Sequence, residues 1–140
     1  MAAYANFVTK ANQRTGVPTN IIHAVIQQES GGNPNAGSIN PVNGQFDGGL
    51  MQINATTFNY LKRKYSYIPD RHVTDPEANI LAGASYLREL HDSFGSWEWA
   101  LRAYNSGPQA AEQLRNQNMG WNNGPNGTDP NYVTNVMQRR

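Results

Sequence analysis

The feature that most constrains this sequence is the division of its apolar residues into short segments, each with helical spacing and each bounded by Gly, Pro or Asn. Apolar residues at intervals of three and four form one face of a helix, and glycine and proline mark where helices end and begin. The longest segment starts with Asp75, Pro76 and Glu77, which are typical of a helix N-cap and first turn, and it stops at Gly95. The pattern predicts helices over residues 2–15, 18–30, 55–65, 75–95, 96–106, 109–117 and 129–139.

Two segments depart from the helical pattern. Asn43-Gly44 is a strong signal for a hairpin turn, because a type I′ turn needs positive φ at both central residues, and it predicts a small β-hairpin over 39–48. Residues 120–131 are poor in apolar side chains and predict a long loop. The sequence therefore predicts an all-α fold with a small β-hairpin, organised as a single domain over residues 1–140.

The composition favours a neutral polar ligand over a nucleic acid. The formal net charge is only +1, whereas a duplex-DNA binder needs clustered Lys and Arg. The polarity comes instead from 18 Asn and 9 Gln residues, whose amides both donate and accept hydrogen bonds. Amides suit carbohydrates, which need donors and acceptors more than charge. The chain has no cysteine, which excludes a disulfide scaffold and thiolate chemistry.

The sequence also argues against a membrane span, an export signal and a metal site. The longest apolar stretch, Ile21–Ile26, is interrupted by His23 and is far shorter than the roughly 20 residues that cross a bilayer. The N-terminus lacks a basic region followed by an apolar stretch, so no signal peptide is expected. No two of His23, His72 and His91 have the spacing of metal ligands. We expect no metal and no cofactor.

Glu29 is the most informative single residue. Ile22, Val25, Ile26 and Glu29 follow one another at spacings of three and four, so the carboxylate continues an apolar stripe. Loss of hydration at such a position raises the pKa of a carboxyl group, which is what a general acid needs to stay protonated near neutral pH. The alternative is that Glu29 lies on the last turn of its helix and points into solvent. Helical spacing alone does not decide between the two.

Three sequence motifs favour the interpretation of Glu29 as a catalytic acid. They are Glu29-Ser30, Gly49–Ile53 (Gly-Leu-Met-Gln-Ile) and Ala103–Pro108 (Ala-Tyr-Asn-Ser-Gly-Pro). In this order they resemble the catalytic domain of the soluble lytic transglycosylase (SLT) family, relatives of goose-type lysozyme that cleave bacterial peptidoglycan. The resemblance covers about residues 15–136. It implies a lysozyme-like fold and peptidoglycan glycan strands as the substrate.

The same resemblance assigns roles residue by residue. It makes Glu29 the single catalytic acid and base, and it places Tyr104 close to the Glu29 carboxyl. The other residues that it implies in substrate binding are Ser38, Gln52, Asn105 and Tyr132, of which Tyr132 is expected to face the cleft. It implies cleavage of the β-1,4 bond between N-acetylmuramic acid and N-acetylglucosamine, with 1,6-anhydro-muramic ends.

Asp47 leaves a second mechanism open. It precedes the Gly-Leu-Met-Gln motif. This part of the sequence also resembles animal-type lysozymes, and that resemblance implies that Asp47 matches their second catalytic carboxylate. Hydrolysis by two carboxyl groups is therefore the alternative, with Asp47 as the partner of Glu29. The structural interpretation of Asp47 is a hairpin residue that bonds to local backbone N–H groups. A peptidoglycan-binding module without catalysis is the third hypothesis.

The resemblance implies action on the bacterial cell wall, in the periplasm or at the cell surface. A chain of this length without a signal peptide or cysteine fits either a phage enzyme carried on the virion or a part of a larger cell-wall protein. As a domain it is expected to be monomeric.

Overall fold

The computed structural model describes residues 4–39 and 44–140. The predicted helical pattern is confirmed, and a small antiparallel sheet lies between the second and third helices. In chain order the elements are α1 (Ala5–Thr15), α2 (Thr19–Ser30), β1 (Gly37–Ile39), β2 (Phe46–Gly48), β3 (Ile53–Asn54), α3 (Ala55–Lys64), α4 (Pro76–Phe94), α5 (Trp97–Ser106), α6 (Pro108–Asn116) and α7 (Tyr132–Arg139), with a short 3₁₀ segment at Pro125–Gly127. No helix in the described part is long and apolar enough to cross a membrane.

Helix α4 is the centre of the fold and packs against α1, α3 and α5. Its ends follow the predicted signals: the Asp75 side chain accepts from the Ala78 N–H at 3.0 Å, and Gly95 adopts a left-handed conformation with φ of 84°. Ile80 and Leu87, seven residues apart on one face of α4, are buried completely. Helix α7 packs against α2 and α5, which closes the core on the side of Glu29.

The sheet has the strand order β1-β2-β3, with antiparallel neighbours. Gly37 pairs with Gly48 and Ile39 with Phe46, so the predicted hairpin is present and its paired residues begin two positions earlier than expected. Residues 40–43, which include Asn43 of the predicted turn, lie outside the described residues. Strand β3 was not predicted. It is only two residues long and leads directly into α3, so its sequence has no room for an alternating pattern.

The sheet is attached to α4 through Asn79, which is buried completely. Its Oδ1 accepts from the Met51 N–H at 2.7 Å, and its Nδ2 donates to the carbonyls of Gly48 at 2.9 Å and Val73 at 2.7 Å. A Cβ on Gly49 would lie 2.1 Å from the Asn79 Nδ2, so only glycine fits there. The Gly48–Met51 turn is therefore fixed in position by one amide side chain.

The last helix begins later than predicted. Helix α7 starts at Tyr132, whereas the sequence pattern predicted a start at residue 129. The Asp129 side chain accepts from the Asn131 N–H at 2.8 Å, which is a local Asx-type turn. This turn competes with helix formation and occupies the residues that the pattern assigned to the first turn.

Replacement of Asn79 by Ala is expected to lower the free energy of unfolding by about 2–4 kcal/mol, because it leaves one N–H and two carbonyls buried without a partner. Urea unfolding followed by circular dichroism measures this change. Asn59→Ala on the exposed face of α3 is the matched control, for which we expect a change within about 0.5 kcal/mol. Equal effects of the two substitutions would contradict the role given to Asn79.

Candidate active site

Glu29 lies in the last turn of α2, where the buried stripe of Ile22, Val25 and Ile26 meets a cavity of about 290 Å³. The helix ends at Ser30, and the following residue, Gly31, is a left-handed C-cap with φ of 61°. The Glu29 carboxyl lines the cavity, and its Oε2 accepts from the Tyr132 hydroxyl at 2.7 Å. The sequence left open whether Glu29 continues the apolar stripe or points into solvent. In the structure it continues the stripe and lines the cavity.

The surroundings of Glu29 favour its protonated form. Burial is the largest cause and raises the pKa of Glu29 from 4.5 to about 7. The hydrogen bond from Tyr132 acts in the opposite direction and lowers this pKa, while the negative charge of Asp47 raises it. The carboxyl can therefore both donate and accept a proton near neutral pH, as a group with two successive proton-transfer roles requires.

Tyr132 remains a hydrogen-bond donor in this pair. Burial, followed by the nearby Glu29 charge, raises the pKa of Tyr132 well above its usual value, so the hydroxyl stays protonated. The ring is almost fully buried, with 3% of its surface exposed, and it does not line the cavity. Tyr132 was expected to face the cleft. In the structure Tyr132 is the first residue of α7, and its hydroxyl contacts the Glu29 carboxyl.

The sheet forms the opposite wall with polar side chains in one row. Asp47 on β2 pairs with Ser38 on β1 and with Asn54 on β3, so these three side chains share one face of the sheet. Asp47 and Asn54 line the cavity, and Ser38 is exposed at the edge of the row and does not line it. Because neighbouring strands bring them together, the row could not be found from spacing along the chain.

Gln52 organises the loop beside this wall. Its Nε2 donates to the carbonyls of Ala36 and Gly49, both at 2.9 Å, and its Oε1 accepts from Ser38 at 3.4 Å. Its backbone is left-handed, with φ of 50°, which is uncommon for a residue other than glycine. Gln52 lines the cavity, but both of its amide hydrogens are used on backbone carbonyls, so its first role is to fix the loop shape.

Tyr104 and Asn105 form the third wall, at the end of α5. The Tyr104 hydroxyl donates to the Met51 carbonyl at 2.6 Å, and the ring lies 5.5 Å from that of Tyr86 between centroids. Tyr104 thus lines the cavity together with Glu29, but its hydroxyl donates to a backbone carbonyl, and the tyrosine that donates to the acid is Tyr132. Asn105 lines the cavity and accepts from Arg102.

Several lining residues were missed by sequence reasoning. Tyr86 on α4 contributes its ring, and burial raises its pKa to about 12. Asn54 is the N-cap of α3 and accepts from the Thr56 N–H at 2.9 Å, yet its Nδ2 is buried without an acceptor among the described residues. The signal for Asn54 was its position before Ala55-Thr56-Thr57 at a predicted helix start. The other lining residues to which sequence reasoning gave no role in the site are Gln45, Ile53, Thr56, Thr57, Ser106, Gly107 and Pro108.

The polar residues of the cavity offer no cluster of metal ligands. Within residues 4–39 and 44–140, no group of three or more His, Asp or Glu side chains could hold a metal ion. The charged side chains of the cavity wall are those of Glu29 and Asp47, and the other polar groups are amides and hydroxyls. This arrangement suits proton transfer to a neutral, hydroxyl-rich ligand.

Comparison with known proteins identifies the family. The family model described as the Transglycosylase SLT domain matches residues 6–124. This chain belongs to the SLT domain family. The predicted resemblance is confirmed, and so is the prediction of a mostly helical, lysozyme-like fold with a small sheet. The matched region includes Glu29, Gln52 and Tyr104.

The sequence of this SLT domain is also similar to those of individual bacterial proteins. It is 37% identical to the X polypeptide of Escherichia coli K12 over 106 residues, which is 75% of this chain and 61% of that protein. It is 35% identical to invasion protein IagB of Salmonella typhimurium LT2 over 106 residues, 75% of this chain and 64% of that protein. The chain thus spans less than two-thirds of these relatives.

A solved structure extends the similarity to the whole fold. The crystal structure of the 70 kDa soluble lytic transglycosylase SLT70 from Escherichia coli matches with a TM-score of 0.78 and 28% sequence identity. The match covers 94% of this chain and 22% of SLT70. The SLT domain described here is therefore similar in fold to one part of a much longer protein.

The raised pKa of Glu29 predicts a dependence of stability on pH. Because the folded SLT domain holds this proton more tightly than the unfolded chain, the group stabilises the fold below about pH 4.5, and this contribution is lost as the pH rises through about 7. Glu29→Gln cannot ionise. Between about pH 4.5 and pH 8 we expect this variant to gain up to about 3 kcal/mol in unfolding free energy relative to the parent.

Urea unfolding at both pH values tests this expectation. Glu112→Gln, which removes a carboxylate from the exposed face of α6, is the control for the loss of one negative charge. A stability difference between Glu29→Gln and the parent that stays constant across this pH range would contradict the desolvated state of Glu29.

Proposed function

We propose that this SLT domain is a peptidoglycan lytic transglycosylase that cleaves the β-1,4 bond between N-acetylmuramic acid and N-acetylglucosamine, with Glu29 as the only catalytic acid and base. The observation that carries the proposal is the Glu29 carboxyl in the cavity wall, with its pKa raised to about 7 by burial. Membership of the SLT family supports the choice of substrate. So does the cavity, whose walls are mostly amides, hydroxyls and tyrosine rings.

The proposed reaction needs one carboxyl group in two states. Protonated Glu29 donates its proton to the glycosidic oxygen, and the bond from this oxygen to C1 of the muramic residue breaks. The carbonyl of the substrate's own N-acetyl group stabilises the positive charge that develops at C1. Glu29, now a carboxylate, removes the proton from the muramic O6, and O6 bonds to C1. The product is a 1,6-anhydro ring, no water is consumed, and Glu29 returns to its protonated state.

Hydrolysis is the second candidate, because Asp47 lines the same cavity and its charge acts on Glu29. In a muramidase Asp47 would stabilise the cation or act as the nucleophile, and water would complete the reaction. We favour the single-carboxyl mechanism because the motifs around Met51 and Tyr104 follow the transglycosylase pattern. Asp47 then contributes mainly by raising the proton affinity of Glu29.

We further infer that the 140 residues act as one catalytic domain on the glycan strands of the bacterial cell wall, in the periplasm or at the cell surface. The carrier can be a virion or a longer cell-wall protein. A binding module without catalysis would have no use for a desolvated acid, so it is the less favoured candidate.

Digestion of purified peptidoglycan by the parent protein is expected to release muropeptides one water lighter than reducing-end fragments, which mass spectrometry distinguishes. Glu29→Gln is expected to lower the release by roughly a thousandfold or more, because it removes the only proton donor, while binding to peptidoglycan in a sedimentation assay persists. The control is Glu112→Gln, which should release at the parental rate. Reducing-end products would contradict transglycosylation, and release at the parental rate by Glu29→Gln would contradict the role of the acid.

Asp47→Asn separates the two mechanisms. If Asp47 only raises the pKa of Glu29, its neutralisation is expected to lower that pKa and to move the upper limit of the pH profile to lower pH. The rate at the pH optimum should then fall by less than about tenfold, and the products should stay anhydro. A loss of about a thousandfold at every pH, together with reducing-end products from the parent, would instead establish hydrolysis by Glu29 and Asp47.

A further inference from the structure

Arg102, in the middle of α5, is a charged residue without any exposed surface. Burial of a guanidinium group is costly unless its hydrogen bonds and charge are compensated. No carboxylate forms an ion pair with Arg102 in the part of the chain that the structure describes. Its Nε–H also has no acceptor there. Stability alone does not explain such a residue, because an apolar side chain of similar size would avoid these costs.

The two terminal nitrogens of Arg102 bind the loop between α6 and α7. Nη1 donates to the carbonyls of Asn123 and Asp129, both at 2.8 Å. Nη2 approaches the Thr128 hydroxyl at 3.4 Å and donates to the side-chain carbonyl of Asn105. The buried charge is thus compensated by carbonyl dipoles on two different segments and by the nearby charge of Asp129, without a direct ion pair among the described residues.

The Asp129 carbonyl connects Arg102 with the acid. It accepts from Arg102 Nη1 and also from the backbone N–H of Tyr132 at 3.2 Å. Tyr132 is the first residue of α7, and its hydroxyl donates to Glu29 at 2.7 Å. One carbonyl therefore lies between the buried guanidinium and the residue that holds the Glu29 carboxyl.

A second connection reaches the cavity directly. Asn105 lines the cavity, and its side-chain oxygen is held by Arg102 Nη2 from one turn earlier in α5. With the oxygen turned toward Arg102, the Asn105 amide nitrogen is the part of the side chain left for another partner. Arg102 is therefore in contact with one cavity residue, Asn105, and it is connected with a second, Glu29, through the Asp129 carbonyl and Tyr132.

We propose that Arg102 is a positioning residue for the chemistry at Glu29: it fixes the start of α7, so that the Tyr132 hydroxyl stays on the Glu29 carboxyl, and it fixes the orientation of Asn105. This inference rests on the proposed function for its catalytic consequence. The body of α7 is held independently by Val133 and Val136, both fully buried. Loss of Arg102 should therefore displace the first turn of α7 without releasing the helix.

The planar guanidinium is suited to this task and a lysine is not. Arginine presents its donors in a rigid fork, whereas lysine has one compact ammonium on a flexible stem. At this site the fork spans two backbone carbonyls on one nitrogen and a side-chain carbonyl on the other. Arg102→Lys keeps the positive charge but cannot reproduce all three contacts, so it tests the geometry apart from the charge.

The test compares Arg102→Met, Arg102→Lys and Tyr132→Phe with a matched control, Arg115→Met. Arg115 also donates from Nη1 to a backbone carbonyl, that of Phe94 at 2.9 Å, but it does not line the cavity. The first readout is the pKa of the Glu29 carboxyl in each protein, followed by ¹³C NMR during a pH titration. The second is the pH dependence of muropeptide release, measured well below each protein's unfolding temperature.

The direction of the shift follows from the Tyr132 hydrogen bond. This bond favours the ionised carboxylate, so its loss raises the pKa of Glu29. We expect Tyr132→Phe to raise it by about one unit and Arg102→Met to produce most of that change. The upper limit of the pH profile should move to higher pH, and the maximal rate should fall roughly tenfold through loss of orientation. For Arg102→Lys, both the pKa of Glu29 and the maximal rate should lie between those of Arg102→Met and the parent.

The double variant decides whether Arg102 acts through Tyr132. In the Tyr132→Phe background, Arg102→Met is expected to add no further shift in the Glu29 titration. A shift of equal size in both backgrounds would overturn the proposed connection. The proposed connection would also be overturned if the pKa of Glu29 in Arg102→Met and in Arg102→Lys equalled its pKa in the control, Arg115→Met. If Arg102→Met does not fold, Arg102→Lys carries the same test.

Failure of the proposed function has a different signature. A parent protein that releases no muropeptides would contradict the enzyme, whereas the NMR titration would still report whether Arg102 controls the Glu29 carboxyl through Tyr132. An active parent with an unshifted titration in both Arg102 variants would contradict only the role given to Arg102.

Discussion

The architecture of the cleft depends on the three hydrogen bonds of the Asn79 side chain. They hold the Gly48–Met51 turn against α4, and the sheet on either side of that turn takes its position from it. Met51 then offers its carbonyl to Tyr104, so the α5 wall is fixed to the same turn. The turn and α4 approach each other closely at two glycines. A Cβ on Gly49 of the turn would lie 2.1 Å from the Asn79 Nδ2, and a Cβ on Gly83 of α4 would lie 2.4 Å from the Met51 sulfur. A single buried amide thus sets the distance between the sheet wall and the helices that carry Glu29 and Tyr104.

The behaviour of Glu29 results from opposing influences within this frame. Burial and the charge of Asp47 raise its pKa, and the hydrogen bond from Tyr132 lowers it, which leaves the value at about 7. Because one cycle of the proposed reaction uses both protonation states, a value near the working pH serves both steps. A fully apolar pocket would raise the pKa of Glu29 further, so that the carboxyl could not act as a base near neutral pH. A further hydrogen-bond donor would lower this pKa, so that the carboxyl could not act as an acid there. The balance is set by α7 as much as by α2, although α2 carries the acid.

The sequence predicted the helices and the acid because both depend on local spacing. Glu29 was singled out by its place after Ile22 and Ile26, and the family motifs then decided between its two interpretations; the ends of α4 were found from Asp75 and Gly95. The row formed by Ser38, Asp47 and Asn54 was not predicted, because strand register brings together residues that are up to 16 positions apart in the sequence. The contact between Tyr132 and Glu29 joins residues 103 positions apart and depends on the packing of α7 on α2. Arg102 was missed because a lone arginine in a helical pattern gives no sign that it is buried.

The buried polar groups of this protein differ in how fully their hydrogen bonds are satisfied, and the difference follows their roles. Asn79 uses its oxygen and its amide group on backbone partners, and it fixes the frame. Glu29 has a tyrosine donor on one oxygen, and Arg102 has no ion-pair partner among the described residues and leaves its Nε–H without an acceptor there. A fully satisfied group adds rigidity, whereas an incompletely compensated charge remains responsive to its neighbours. The incompletely compensated charges lie on α2 and α5, next to the cavity where the proposed reaction moves a proton. The arrangement therefore places the cost in stability at the acid whose titration the proposed chemistry needs and at the arginine proposed to position its surroundings. It keeps this cost away from the amide that holds the walls together.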